Sequence, residues 1–121
     1  MKYIIVTNNP YVRDTYVDKE VEYYDKSYQE ILQIVKNKIA LGHKILTHPL
    51  SGSVKPKETP YKSIMISKER EYIDLDSLEL IESAIATCEK FRERSDKWTP
   101  QVLKDFQLVD FTLIDSAMDS V

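Results

Sequence analysis

Cysteine and glycine are nearly missing from this chain of 121 residues. Its one cysteine, Cys88, excludes an intrachain disulfide and any cysteine-built metal site. A reducing, cytoplasmic compartment is the simplest setting for that usage. The two glycines, Gly42 and Gly52, match neither the Walker A loop nor the dinucleotide fingerprint, which need glycines at fixed offsets. Long hydrophobic runs are missing too. Nothing approaches the length of a membrane span, and the N-terminal apolar core, Tyr3–Val6, is too short for a signal peptide. Nor is there an excess of positive charge. A net charge of −3 gives no global case for nucleic acid binding. The expectation is a cytoplasmic protein with neither a membrane nor a nucleic acid as partner.

What is present suits a globular fold. Hydrophobic residues make up 42% and charged residues 31%, enough apolar surface for a core and too much for a disordered chain. The length fits a single α/β domain over residues 1–121.

Local signals place the elements. Lys2–Thr7 reads as a buried strand, stopped by Asn8-Asn9-Pro10. Proline suits a first helical turn, so a short helix is expected from Pro10 to about Tyr16. Val21–Tyr24 is a second strand. Ser27 and Glu30 form a capping box, the stripe Tyr28, Leu32, Val35, Ile39 follows, and Gly42 stands where a left-handed C-cap is expected, giving a helix over Ser27–Leu41. Lys44–Thr47 and Ser63–Ser67 read as third and fourth strands, the direction of the last left open. Asp74–Arg94 is a long helix with Asp76 and Glu79 as a cap-like start and a stripe of Leu78, Ile81, Ile85, Cys88 and Phe91. Cys88 on that stripe reads as a core thiol. Thr99-Pro100 restarts a helix, with Val102, Phe106, Val109, Leu113 and Ala117 as its apolar face and a bend near Gln107–Asp110 allowed.

Strands alternating with helices imply successive crossovers. The expected architecture is a small three-layer α/β fold. It has a mainly parallel sheet of about four strands with the first strand central, helices on both faces and an all-helical C-terminal part.

One stretch resists this periodicity. His43–Ser63 carries three of the five prolines and one of the two glycines. Irregular loops of about fifteen residues are uncommon in compact domains and are usually functional or disordered. The window His43–Lys68 holds five lysines and one acid, which makes it +4 and leaves −7 on the rest. Such asymmetry points to a local anion site or an acidic partner surface, or to a solvated loop. In open α/β sheets ligands bind outside the carboxyl ends of strands. Thr7, Asn8 and Asn9 would there meet Thr47 and the loop behind it. Ser51, Gly52 and Ser53 can offer backbone N–H groups and hydroxyls to an anion, and Lys55, Lys57 and Lys62 can add charge. His48, just past a strand end, is the candidate acid–base group, with Ser51 or Ser53 as nucleophile. Its other reading is a structural histidine bonded to the loop backbone. His43 would lie on the opposite side of the sheet, so no metal pair is expected, and no cofactor is called for. Leu50, Val54 and Tyr61 leave a homo-oligomer contact open.

The stretches TNNP, THPLSGSVKPKETPYKS and DFQLVDFTLIDSA resemble the GrdX family, small proteins associated with glycine reductase gene clusters, and the resemblance spans the chain. It implies a cytoplasmic bacterial protein tied to the glycine, sarcosine or betaine reductase system, and carries over no catalytic residue. That chemistry uses selenocysteine and cysteine centres and makes acetyl phosphate. With Cys88 expected in the core, an accessory or regulatory role follows. The loop 47–63 would bind a small anionic metabolite or an acidic surface of a glycine reductase component. The alternative is a small enzyme acting on a phosphorylated or carboxylated metabolite through His48.

Overall fold

The computed structural model describes residues 2–51 and 55–121. The elements run β1 (Tyr3–Thr7), α1 (Pro10–Thr15), β2 (Val21–Tyr23), α2 (Tyr28–Ala40), β3 (Ser63–Ser67), α3 (Leu75–Glu89) and α4 (Pro100–Ala117). Short 3-10 turns lie at Ser95–Lys97 and Met118–Ser120. Beyond β3 the regular structure is all helical.

β1 is central in the order β2-β1-β3. β2 runs parallel to it with Ile5 opposite Val21, and β3 runs antiparallel with Ile5 opposite Met65. The sheet is therefore mixed and three-stranded, not mainly parallel with about four strands. Lys44–Thr47 does not form the expected strand beside β1. Ile45 makes one antiparallel bridge to Ile66 of β3, with Leu46 N donating to Met65 O and Ser67 N to Lys44 O, both at 2.8 Å. The reason is the connection. A parallel neighbour needs a crossover, normally a helix, whereas a link without one turns the chain back beside the segment it has just left.

The strands alternate faces and so divide the core. Ile4, Val6, Ile64 and Ile66 pack on α2 and α3 through Ile31, Leu32, Val35, Ile39, Ile81 and Cys88. Ile5 and Met65 point the other way, onto Val12 and Tyr16 near α1 and Ile114 of α4. Helices thus cover both faces. Each fully buried Ile, Leu or Val contributes roughly 1.5–3 kcal/mol. Burial also pushes the Cys88 thiol pKa up, which suits a core thiol.

Local caps place the helix ends. Ser27 Oγ accepts from Glu30 N–H at 3.1 Å while the Glu30 carboxylate accepts from Ser27 N–H at 3.1 Å. Asp74, rather than Asp76, caps α3 by accepting from Ser77 N–H at 3.0 Å. α3 ends at Glu89, before the Arg94 boundary expected for it. α4 turns a different face inward from the apolar one. Val109 and Leu113 stay exposed at 42% and 37%, while Asp110 and Ile114 are buried. A carboxylate, not a hydrophobe, sits at the centre of its packed side.

Gly42 closes α2 at φ +106°. Its N–H donates to Ile39 O, and His43 N–H donates to Lys38 O, a left-handed C-terminal motif. A Cβ here would lie 2.2 Å from the Glu71 carbonyl oxygen. Gly42→Ala is therefore expected to cost about 2 kcal/mol or more, through left-handed strain and backbone overlap. Urea denaturation measures it; an unchanged midpoint would contradict this packing.

Candidate functional site

Three remote stretches converge at the carboxyl end of β1, and Asp110 draws them together. A buried carboxylate only accepts hydrogen bonds, so it must find donors. Asp110 Oδ1 takes the Ser63 N–H at 3.0 Å. Its Oδ2 takes the Ser63 hydroxyl at 2.6 Å and Asn9 Nδ2 at 3.0 Å. With the Ser63 proton committed to Asp110, Thr7 Oγ1 donates to Ser63 Oγ at 2.6 Å, and itself accepts from Asn9 N–H at 2.9 Å. Asn9 also caps α1 by accepting from Tyr11 N–H at 3.0 Å, and donates to Gln107 O at 2.9 Å. β1, β3, α1 and α4 are thereby pinned to one another. Thr7 and Asn9 are fully buried, so their role is structural.

Asn8 makes the second tie. Its Oδ1 accepts from Lys62 N–H at 2.8 Å, and its Nδ2 donates to Lys26 O at 2.9 Å and Pro60 O at 2.7 Å. The turn before α2 and the end of the long loop are held side by side. Lys62 is drawn inside, only 3% exposed. Its Nζ reaches the Ser51 carbonyl at 3.3 Å and hydroxyl at 3.5 Å. Burial pushes its pKa down to about 8, with Asp110 opposing the shift. The space beside Lys62 and Asp110 is about 20 Å³, room for a single water molecule rather than a metabolite.

Metabolite-sized volume lies next door. A cleft of about 400 Å³ shares Tyr28, Thr59 and Tyr61 with that small space. Asn8 and the α2 N-terminus form one wall, Lys57, Thr59, Pro60 and Tyr61 another, and Glu93, Trp98 and Leu103 the far side. Lys57 stands on its edge in a costly conformation. It is the one non-glycine residue at positive φ among the described residues, +67°. Its turn is closed by Glu58 N–H to Lys55 O at 3.1 Å. Glycine or asparagine normally fills such a position, and a lysine there costs on the order of 1 kcal/mol.

The structure separates the other residues singled out in the sequence. Thr47 Oγ1 accepts from Met65 N–H at 3.0 Å, which is sheet-edge work. His48 is exposed, and its Nδ1 accepts from Leu50 N–H at 3.0 Å. It does not line the cleft. Gly52 and Ser53 lie outside the described residues, as does Val54. Lys55 faces a different surface pocket with Arg92 and Arg94. His43 donates through Nδ1 to Ser67 O at 2.7 Å. Among the described residues no group of three His, Cys, Asp or Glu side chains is placed to hold a metal, and no helix is long and apolar enough to cross a membrane.

Sequence reasoning missed Asp110 and the cleft residues Asp25, Tyr28, Tyr61, Glu93 and Trp98. A signal existed for Asp110, an acid inside the apolar run LVDFTLI of α4. None existed for the others, whose meeting depends on tertiary packing.

The structure therefore defines a small α/β protein with a buried-carboxylate junction and an adjoining cleft of mixed charge. The chain belongs to the GrdX-like protein family, whose model matches residues 4–119. Comparison with curated proteins and with solved structures gives no match.

Two consequences are measurable. Asp110→Asn puts an amide against donors and should cost on the order of 3 kcal/mol in chemical denaturation; a change near zero would remove Asp110 as the junction. Lys62 binds its proton less readily folded than unfolded, with a pKa of about 8 against about 10.4. The Lys62 contribution should thus be flat below pH 8 and raise stability by up to about 3 kcal/mol between pH 8 and 10.4. Above pH 10 tyrosines oppose the rise, Tyr24 being pushed up to about 12 by its bond to Glu22 and by burial. Lys62→Met should flatten the rise.

Proposed function

We propose that this protein is a non-catalytic accessory or regulatory component of the glycine, sarcosine or betaine reductase system, and that it binds a small anionic ligand in the cleft beside residues 57–62. Lys57 carries the reading. A lysine kept in a backbone conformation that favours glycine, on the edge of a metabolite-sized cleft, is strain retained at a site of use. Lys26 and the residues that open α2, Ser27, Tyr28 and Gln29, line the same cleft, and helix N-termini favour anions. Lys62 adds positive charge behind the wall. The family supports the reductase context.

The partner side of the proposal has its own surface. Lys55, Arg92 and Arg94 share a pocket with Glu58 and Asp96, where an acidic face of a reductase component would meet three cations. An enzymatic role for His48 has less support, because its Nδ1 is engaged by the loop backbone and the ring lies off the cleft.

Thermal shift with phosphate, acetyl phosphate and acetate tests the ligand. At least one should raise the melting temperature. Lys57→Gly should weaken that ligand about tenfold, while leaving stability unchanged or up to about 1 kcal/mol higher as the strain is relieved. A flat response to every anion, with no reductase subunit retained on the immobilised protein, would overturn the reading.

A further inference from the structure

The apolar row of α4 that the Asp110 junction turns outward is a regular one. Val102, Phe106, Val109 and Leu113 follow at spacings of four, three and four. At about 100° per residue they share a stripe roughly 60° wide and about 17 Å long. Alternating steps of three and four make the seam of a coiled-coil helix. Val109 and Leu113 are exposed, Val102 and Phe106 half-buried. The stripe is distinct from the inner side of α4, which carries the buried Asp110 and Ile114. It is distinct as well from the flank toward α1, where Phe111 packs on Tyr11 and Tyr16 with ring centroids 4.9 and 5.4 Å apart. Beside its first turn, Trp98, Val102 and Phe106 line an open hollow of about 190 Å³.

The charge along this part of the chain is polarised. Residues 90–104 carry five cations, Lys90, Arg92, Arg94, Lys97 and Lys104, against two acids. Residues 105–121 carry four aspartates and no cation, and of the four only Asp110 is buried. An apolar stripe with one positive and one negative end complements a reversed copy of itself. A second copy laid antiparallel sets each end on its opposite, and the two helix dipoles then run in opposite directions, which is favourable. A parallel copy would set lysine on lysine and aspartate on aspartate.

We infer that α4 is the contact of a two-fold symmetric homodimer, its apolar stripe packed antiparallel on that of a second copy. The axis passes between Phe106 and Val109, the middle of the row. Val102 then meets the partner's Leu113, and Phe106 meets the partner's Val109. One stripe serves both copies, which is the self-complementarity that a two-fold interface requires. On the outer flank Asp105 comes opposite the partner's Thr112, so like charges do not meet there. The last turns of the second α4 lie over the hollow at Trp98. The charges set orientation more than strength. A contact between two single helices falls at the small end of specific interfaces, below about 1,200 Å² in total, so the association is reversible.

Sedimentation equilibrium of the full chain between about 1 μM and about 1 mM reads this association. The mass should climb from that of one chain toward that of two. Val109→Asp, at a side chain already exposed, should raise the dissociation constant at least about tenfold and leave the melting temperature unchanged. Leu108→Asp, roughly 130° round the helix from the stripe, should leave association as it is. Oxidised chains carrying both Val102→Cys and Leu113→Cys should form covalent dimers, while neither new cysteine alone should do so. A single chain at every concentration would overturn the homodimer; if the native chain, but not Val109→Asp, then retains a reductase subunit, the stripe belongs to that subunit. A dimer indifferent to Val109→Asp, or weakened as much by Leu108→Asp, would overturn the stripe as its contact. A dimer cross-linked by one new cysteine alone would overturn the antiparallel arrangement.

Discussion

Asp110 is a charge held inside the protein, and most of the architecture around the cleft follows from satisfying it. A carboxylate away from water is tolerated only when its oxygens are filled by donors. Those donors come from Ser63 and Asn9, and Thr7 completes the chain behind Ser63. Because these residues end β1, begin β3 and cap α1, one electrostatic requirement sets the position of α4 against the sheet. It also explains why α4 leaves Val109 and Leu113 in solvent: the helix rotates to bring its acid inward, and the apolar row next to it turns out.

The position of the cleft follows from that junction. Asn8, one residue on from Thr7, binds the backbone on both sides of the cavity, at Lys26 and at Pro60 and Lys62. The long loop therefore does not end as a flap over the strand ends. Its last residues are built into the protein, and Lys62 is carried into the interior with them. The lysines of the basic segment are dispersed as a result. Lys62 is buried, Lys57 edges the cleft, Lys55 joins Arg92 and Arg94 on another surface, and Lys68 pairs with Glu20 at 2.7 Å. The charge excess of the segment is real, but it does not form a single patch.

Much of the secondary structure was legible from residues close together in the chain. The Ser27–Glu30 capping box, Pro10 and Pro100 in first turns, Gly42 after α2 and the β-branched runs of β1 and β3 each act through neighbours a few residues away. Thr7, Asn8 and Asn9 stand at a strand end, where their side chains bind the protein itself. His48 drew notice for its chemistry alone, and a histidine next to a turn is readily used by that turn.

By itself the sequence determined the Ser27 and Thr99 caps, the strand cores and the presence of an irregular basic stretch, because all of these depend on short-range sterics and hydrogen bonding. Only the tertiary structure decided that Lys44–Thr47 pairs with β3, that α4 turns Asp110 inward, and that Asp25, Lys57, Tyr61, Glu93 and Trp98 share one cleft. Each of those outcomes is a competition between distant surfaces for the same buried donor, acceptor or apolar contact. No local propensity records the winner.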